Sequence, residues 1–223
     1  WLKLTDFQSH ISEDTFNDYS AFRLESDIPH LTSTDGYYTK EEYRNFQRLA
    51  ADYGIRVITE IDGPAHARRF IELGNYENAP DKYKNLGLDG THFNLSEEGG
   101  ARERVLNLMD EILEEYLGGD DPVIITDAFN IGMDEYFGNQ DDLRAYAVHM
   151  YDKVVNTYHK TAFGWDSNAS LANENYPKEA YPMDNIIIDY WKWEEVSGGL
   201  KKLMDQGYKV VNGDHRWYIV PGA

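Results

Sequence analysis

The stretch Thr39 to Asp62, TKEEYRNFQRLAADYGIRVITEID, contains a helix, a strand and two carboxylates at the strand's end, and the same grammar recurs along the chain. Thr39 with Glu42 three residues later is a capping box, and Tyr43, Phe46, Leu49 and Tyr53 return at helical spacing before Gly54 ends the run. Ile55 to Ile61 then reads as a strand, with Glu60 and Asp62 near its carboxyl end.

A second unit places Val105, Met109, Ile112 and Tyr116 on one helical face, stops at Gly118-Gly119 and leads into a strand running from Pro122 to Phe129. A helix over roughly 140–160 precedes the strand Ala162 to Trp165, and Asn185 to Trp191 makes another strand. A shorter helix carrying Val196, Leu200 and Leu203 ends at Gly207, ahead of the strand Lys209 to Val211. With Leu2-Lys3-Leu4 at the start the reading is six strands, separated by helices wherever the pattern is clear. Such alternation specifies an α/β fold with a parallel sheet, either doubly wound or a TIM barrel of usually ~250 residues.

The polar residues decide between the two. Asp6, Glu60 with Asp62, Asp134 with Glu135, Trp165 with Asp166, Trp191 and Tyr218 all fall at strand ends. A barrel converges every such end on one mouth, and no Gly-rich phosphate loop follows any strand. The expected fold is therefore a TIM (β/α)8-type barrel, incomplete in this chain at about six βα units, with residues 1–223 forming one domain and the irregular stretches 7–38 and 74–96 lying over the mouth.

Composition narrows the partners. The chain has 223 residues, 41% of them hydrophobic, enough for one sizeable core. Forty Asp and Glu against 21 Lys and Arg give a formal net charge of -19, which repels phosphate backbones and anionic headgroups, so neither nucleic acid nor membrane is an expected partner. There is no cysteine, which excludes disulfides, thiolate metal sites and a cysteine nucleophile. The seven histidines show no metal-ligand spacing, and neither a metal nor another cofactor is expected. No signal-like leader or ~18-residue apolar run is visible, so the chain reads as soluble. Seventeen Tyr and 5 Trp suit stacking on sugar rings.

Phe129 to Tyr136, FNIGMDEY, carries the chemistry. An Asp-Glu pair is commonly a solvated loop or a helix N-terminus, but this one follows an apolar run and a glycine, where solvated charge is less expected. Adjacent carboxylates at a strand end are expected to diverge, one addressing a leaving oxygen and the other a neighbouring substituent.

Ile-Gly-Met-Asp-Glu at 131–135 resembles the Gly-Gly-Asp-Glu signature of glycoside hydrolase family 20, the β-N-acetylhexosaminidases, with a bulky residue in place of the second glycine. Leu2 to Gln8 resembles that family's second strand, and Val57 to Ala67, VITEIDGPAHA, resembles its third. The likeness covers essentially the whole chain and implies a barrel lacking its first and last strands. It also implies exo-hydrolysis of terminal β-linked N-acetylglucosamine or N-acetylgalactosamine, with retention, in which the substrate's 2-acetamido oxygen is the nucleophile.

By the same resemblance Glu135 is the general acid and base, Asp134 accepts the acetamido N–H, and Tyr218 donates to the acetamido oxygen. Trp165 and Trp191 wall the acetamide, with Trp193 competing for the place of Trp191, and Asp6 with His66 supports the general acid. Asp166 and Trp217 are placed with the substrate-binding group. Val220 stands where the family often has a sugar-binding Asp, and the substrate-clamping Arg of the first strand has no counterpart after Trp1. A lacto-N-biosidase of the same family, or a carbohydrate-binding relic without turnover, are the alternatives. The family and the missing cysteines suggest a secreted or cell-surface bacterial setting.

Overall fold

The computed structural model describes residues 2–3, 21–166, 183–191 and 199–213. Its strands are β1 (Leu2–Lys3), β2 (Thr59–Gly63), β3 (Ala128–Gly132), β4 (Thr161–Trp165), β5 (Ile186–Tyr190) and β6 (Lys209–Asn212). They form one sheet in the order β1-β2-β3-β4-β5-β6, every pair parallel. Spatial order that follows chain order without reversal is the winding of a barrel; a doubly wound sheet reverses at a switch point. The described sheet is thus an arc of a TIM-type barrel, and all its carboxyl ends lie on one rim.

The main helices are α1 (Lys40–Asp52), α3 (Ala101–Leu117) and α4 (Gln140–Asp152), with the short α2 (Arg68–Ile71) and α5 (Gly199–Asp205). The capping box of α1 is present in both directions, Glu42 N donating to Thr39 Oγ1 at 3.1 Å and Thr39 N to Glu42 Oε2 at 2.8 Å. At its other end Gly54 N bonds Ala51 O and Ile55 N bonds Ala50 O, a Schellman stop that needs the φ of +71° at Gly54.

Two strands begin later than the β-branched runs suggest. Ile55 is spent on capping α1, and β2 opens only at Thr59, whose hydroxyl meets Tyr43 Oη at 2.6 Å. Ahead of β3, four backbone groups of residues 123–126 are taken by side chains. Val123 O and Ile125 N bond the buried Gln47 amide of α1, and Ile124 O and Thr126 O accept from Lys160 Nζ. That run links α1 to the sheet, and pairing starts at Ala128.

The helix expected over 140–160 is α4 to Asp152 followed by a π-helical turn, Lys153–Thr157, that buries Val154 and Val155 before β4. Val196 lies outside the described residues, and α5 supplies Leu200 and Leu203. The stretch 74–96 is not wholly irregular, since it includes a 3-10 turn at Asp81–Tyr83.

Candidate active site

Carboxylates from β2 and β3 meet at the sheet's carboxyl rim. Every residue of both strands is buried, and Glu60 pairs in register with Asn130. Asn130 Nδ2 donates to Glu60 Oε2 at 2.9 Å and its Oδ1 accepts from Gly132 N at 2.9 Å. Trp165, the last residue of β4, donates its indole N–H to the same Glu60 oxygen at 3.2 Å. A buried carboxyl needs such donors, so Glu60 ties three neighbouring strands together beneath the rim.

Above this floor the chain takes an unusual path. Gly132 has φ +79°, and a Cβ there would stand 1.7 Å from Asp62 Oδ1, so only glycine fits between β3 and the Asp62 carboxylate. Met133 follows at φ +90° with its N–H bonded to Gly63 O, and Glu135 lies at φ +51°. On the facing segment His66 is at φ +53°. Left-handed φ at three non-glycine residues costs of order 1–3 kcal/mol each and is held only where surrounding contacts over-determine it. Met133 occupies the place of the signature's second glycine, and its φ shows why glycine is suited there.

These turns aim three side chains at one point. His66 Nε2 lies 3.4 Å from Asp134 Oδ2 and 3.3 Å from Glu135 Oε2. The adjacent carboxylates therefore do not diverge as expected from their position on a strand end: the left-handed turn at Glu135 brings both to one imidazole. Their exposures differ, 17% for the Asp134 side chain against 43% for Glu135, so Glu135 is the more reachable from solvent. Asp62, His66 and Asp134 each offer a ligand atom within 4.8 Å of the others, a spacing compatible with a cation between them. No sequence spacing reveals this trio, because its members come from two strands.

Below Asp62 the fully buried Tyr146 of α4 points its hydroxyl at Gly63, where an added Cβ would lie 2.6 Å away. Burial, with the Asp62 charge adding to it, pushes the Tyr146 phenol above its ordinary range, so it stays protonated.

On the other side of the rim, Trp165 ends β4, Asp166 follows it and Trp191 follows β5. Trp191 donates its indole N–H to Asp166 O at 2.9 Å, and Asp166 N donates to Asp189 O at 2.8 Å. Asp134, Glu135 and His66 are thus brought together, and Trp165 is tied to the β2–β3 floor through Glu60. Trp191 and Asp166 form a second bonded pair at the same end of the sheet. Asp6, Trp193, Trp217 and Tyr218 lie outside the described residues. The sequence reading assigned no role to Asn130, Asp62, Asp89 or His92. Asn130 and Asp62 stood inside quoted motifs, whereas His92 carries no spacing signal, its partners being 3 and 43 residues away.

The model of the glycosyl hydrolase family 20 catalytic domain matches residues 2–221, and the chain belongs to that family. It is 25% identical to a lacto-N-biosidase of Bifidobacterium bifidum over 219 residues, 87% of this chain and 18% of the relative. It is also 25% identical to a beta-hexosaminidase of Porphyromonas gingivalis over 259 residues, 100% of this chain and 29% of the relative. Among solved structures, the family 20 β-N-acetylhexosaminidase of Streptomyces coelicolor superposes with a TM-score of 0.62 at 19% identity, covering 94% of this chain and 40% of that one. Dispersin B superposes with a TM-score of 0.65 at 19% identity, covering 91% and 65%. The chain thus spans less than a third of the length of those two curated relatives, and among the described residues no helix is long and apolar enough to cross a membrane.

Proposed function

We propose that this chain carries the catalytic centre of a retaining exo-glycosidase that removes terminal β-linked N-acetylhexosamine from glycans. The observation that carries the reading is the convergence of Asp134 and Glu135 on His66 at the carboxyl rim of the sheet, in a chain of family 20. Glu135, the more exposed carboxyl, protonates the glycosidic oxygen as the C1–O bond breaks. The substrate's acetamido oxygen attacks C1 and closes an oxazolinium ring. Asp134 accepts the acetamido N–H and faces the positive charge that develops there. Glu135, now a carboxylate, takes a proton from the water that opens the ring at C1, which restores both the acid and the β-configuration.

His66 holds the two carboxylates in register. Trp165, fixed through Glu60, walls the acetamide, with Trp191 and Asp166 beside it on the neighbouring strand. Asp6, Trp217 and Tyr218 take the supporting and acetamide-binding parts that the family resemblance gives them. The setting is secreted or cell-surface. The resident chemistry needs no metal, since the substrate supplies the nucleophile and Glu135 the proton.

The nucleophile is tested by offering the intact enzyme a matched pair of aryl glycosides, one with a 2-acetamido group and one with a 2-hydroxyl. Turnover confined to the first is expected, together with tight binding of a thiazoline mimic of the bicyclic intermediate that Asp134→Asn weakens more than product binding. A 2-fluoro sugar found covalently attached to Asp134 or Glu135 by mass spectrometry would overturn the acetamide route. The likeness to the Bifidobacterium lacto-N-biosidase supports a second reading, release of a disaccharide, and faster hydrolysis of an aryl lacto-N-bioside than of an aryl N-acetylglucosaminide would establish it.

A further inference from the structure

A second His-carboxylate pair, His92 with Asp89, reaches Glu135 through its main chain, where His66 meets its side chain. Within the loop after β2, Asp89 Oδ1 accepts the N–H groups of Thr91 at 2.7 Å and His92 at 2.8 Å, and Asp89 Oδ2 meets His92 Nδ1 at 2.8 Å. Burial pushes the Asp89 carboxyl up, but those two amides and the His92 ring outweigh it and hold it below its usual range, so it is an anion here. His92 Nε2 lies 3.2 Å from the backbone oxygen of Glu135. Both ring nitrogens therefore have polar partners, and the ring spans the gap between Asp89 and the Glu135 main chain.

The loop that delivers His92 is itself anchored. Ala67 N bonds Thr91 O and Phe93 N bonds Pro64 O, each at 2.8 Å, so the loop rests on the segment that carries His66. Tyr136 and Phe137, the two residues after Glu135, meet the His92 ring edge-on at 5.9 and 5.4 Å. Tyr136 also donates its hydroxyl to Phe93 O, and burial pushes its phenol up to about 12. Glu135 is thus gripped through its main chain, at a φ of +51° that a glutamate does not adopt unaided.

We propose that His92, held by Asp89, is a positioning residue for the acid-base carboxyl. By bonding the Glu135 carbonyl it fixes the left-handed turn that directs the Glu135 side chain to the His66 and Asp134 point. This rests on the role given to Glu135 above.

The test compares His92→Phe, which keeps the ring contacts and loses the donor, with His92→Gln, which keeps a donor. Both are made in the intact enzyme and assayed on aryl N-acetylglucosaminides with poor and good leaving groups. His92→Phe should lower kcat on the poor leaving group by roughly 10- to 100-fold, the usual consequence of misplacing a catalytic group by about 1 Å, while leaving KM in place. The good leaving group should suffer less, and His92→Gln should recover most of the loss. Asp89→Asn should lower the same rate constant without adding to His92→Phe in the double variant.

A crystal structure of His92→Phe supplies a readout independent of turnover, with the Glu135 φ expected to leave the left-handed region and its carboxyl to withdraw from His66. An unchanged Glu135 conformation, or equal losses on both substrates accompanied by a lowered melting temperature, would overturn the proposal. Full activity of Glu135→Gln would instead overturn the acid-base reading while leaving the structural outcome to decide the clamp.

Discussion

The floor of the site and its rim are built from the same two strands, yet they obey opposite rules. On the floor, Glu60, Asp62 and Asn130 are buried within extended strands, and Glu60 and Asn130 have hydrogen-bond partners at 2.9–3.2 Å. On the rim, four to six residues further on, His66 and Glu135 are part-exposed and held at positive φ. The floor's polar groups are tolerable inside the barrel only because neighbours satisfy them, so disturbing them is expected to cost stability. The rim carries local strain held by surrounding contacts, so disturbing it is expected to cost turnover. Changes made on either side of that boundary, from the most to the least severe, test whether it is real.

Gly132 sits at the boundary, and Gly132→Ala should be the most damaging. The new Cβ would meet Asp62 Oδ1 at 1.7 Å and Asp62 Cα at 2.8 Å at a φ unfavourable to alanine. Neither backbone nor buried carboxylate can give way cheaply, so we expect a loss above about 4 kcal/mol, read as failure to recover folded protein by circular dichroism. Glu135→Gln lies wholly on the rim. It should lower turnover of a poor-leaving-group substrate by roughly 10²–10⁴ with an unchanged melting temperature, whereas good leaving groups lose less. If Glu135→Gln also lowered the melting temperature by many degrees, the separation of floor from rim would be wrong.

Asn130→Ala probes the floor more gently. It strips a donor from the buried Glu60 carboxylate and an acceptor from Gly132 N, and each group left short should cost about 1–3 kcal/mol in a urea melt. Asn130→Asp is nearly isosteric but sets a second carboxyl against Glu60, so it should be the worse of the two. The reverse order would mean that the two carboxyls share a proton and that their repulsion is not what governs the floor.

The same divide explains what was legible in the sequence. The alternation of elements, the capping box at Thr39 and the polar strand ends follow from local chemistry, and the sheet order agrees with them. The start of β3 was hidden because Gln47 and Lys160 take the backbone groups of residues 123–126, long-range contacts that no local pattern announces. The site's signature was readable as a motif, but the convergence on His66 was not, since it depends on left-handed turns at residues other than glycine. Asp6 and Tyr218, whose roles come from the resemblance, lie outside the described residues and remain proposals.

The mildest prediction concerns the two helices whose apolar spacing looked alike. On α3 the stripe Val105, Met109, Ile112 and Tyr116 is fully buried, as its period implies. On α1 the stripe splits: Tyr43 is buried, but Leu49 is 57% and Tyr53 77% exposed, while the inward places are taken by Gln47 and Ala50. Gln47 takes one of the inward places, its amide bonded to Val123 O and Ile125 N, so the face that α1 turns to the sheet is not all-apolar. A side chain already in water loses little when made polar. Leu49→Ser should therefore change stability by no more than about 0.5 kcal/mol, the usual bound for exposed sites. Met109→Ala, on the fully buried stripe of α3, should cost about 2–5 kcal/mol. Thermal melts of the two variants decide it, and a loss for Leu49→Ser near that of Met109→Ala would show that the outer face of α1 is packed in the folded protein.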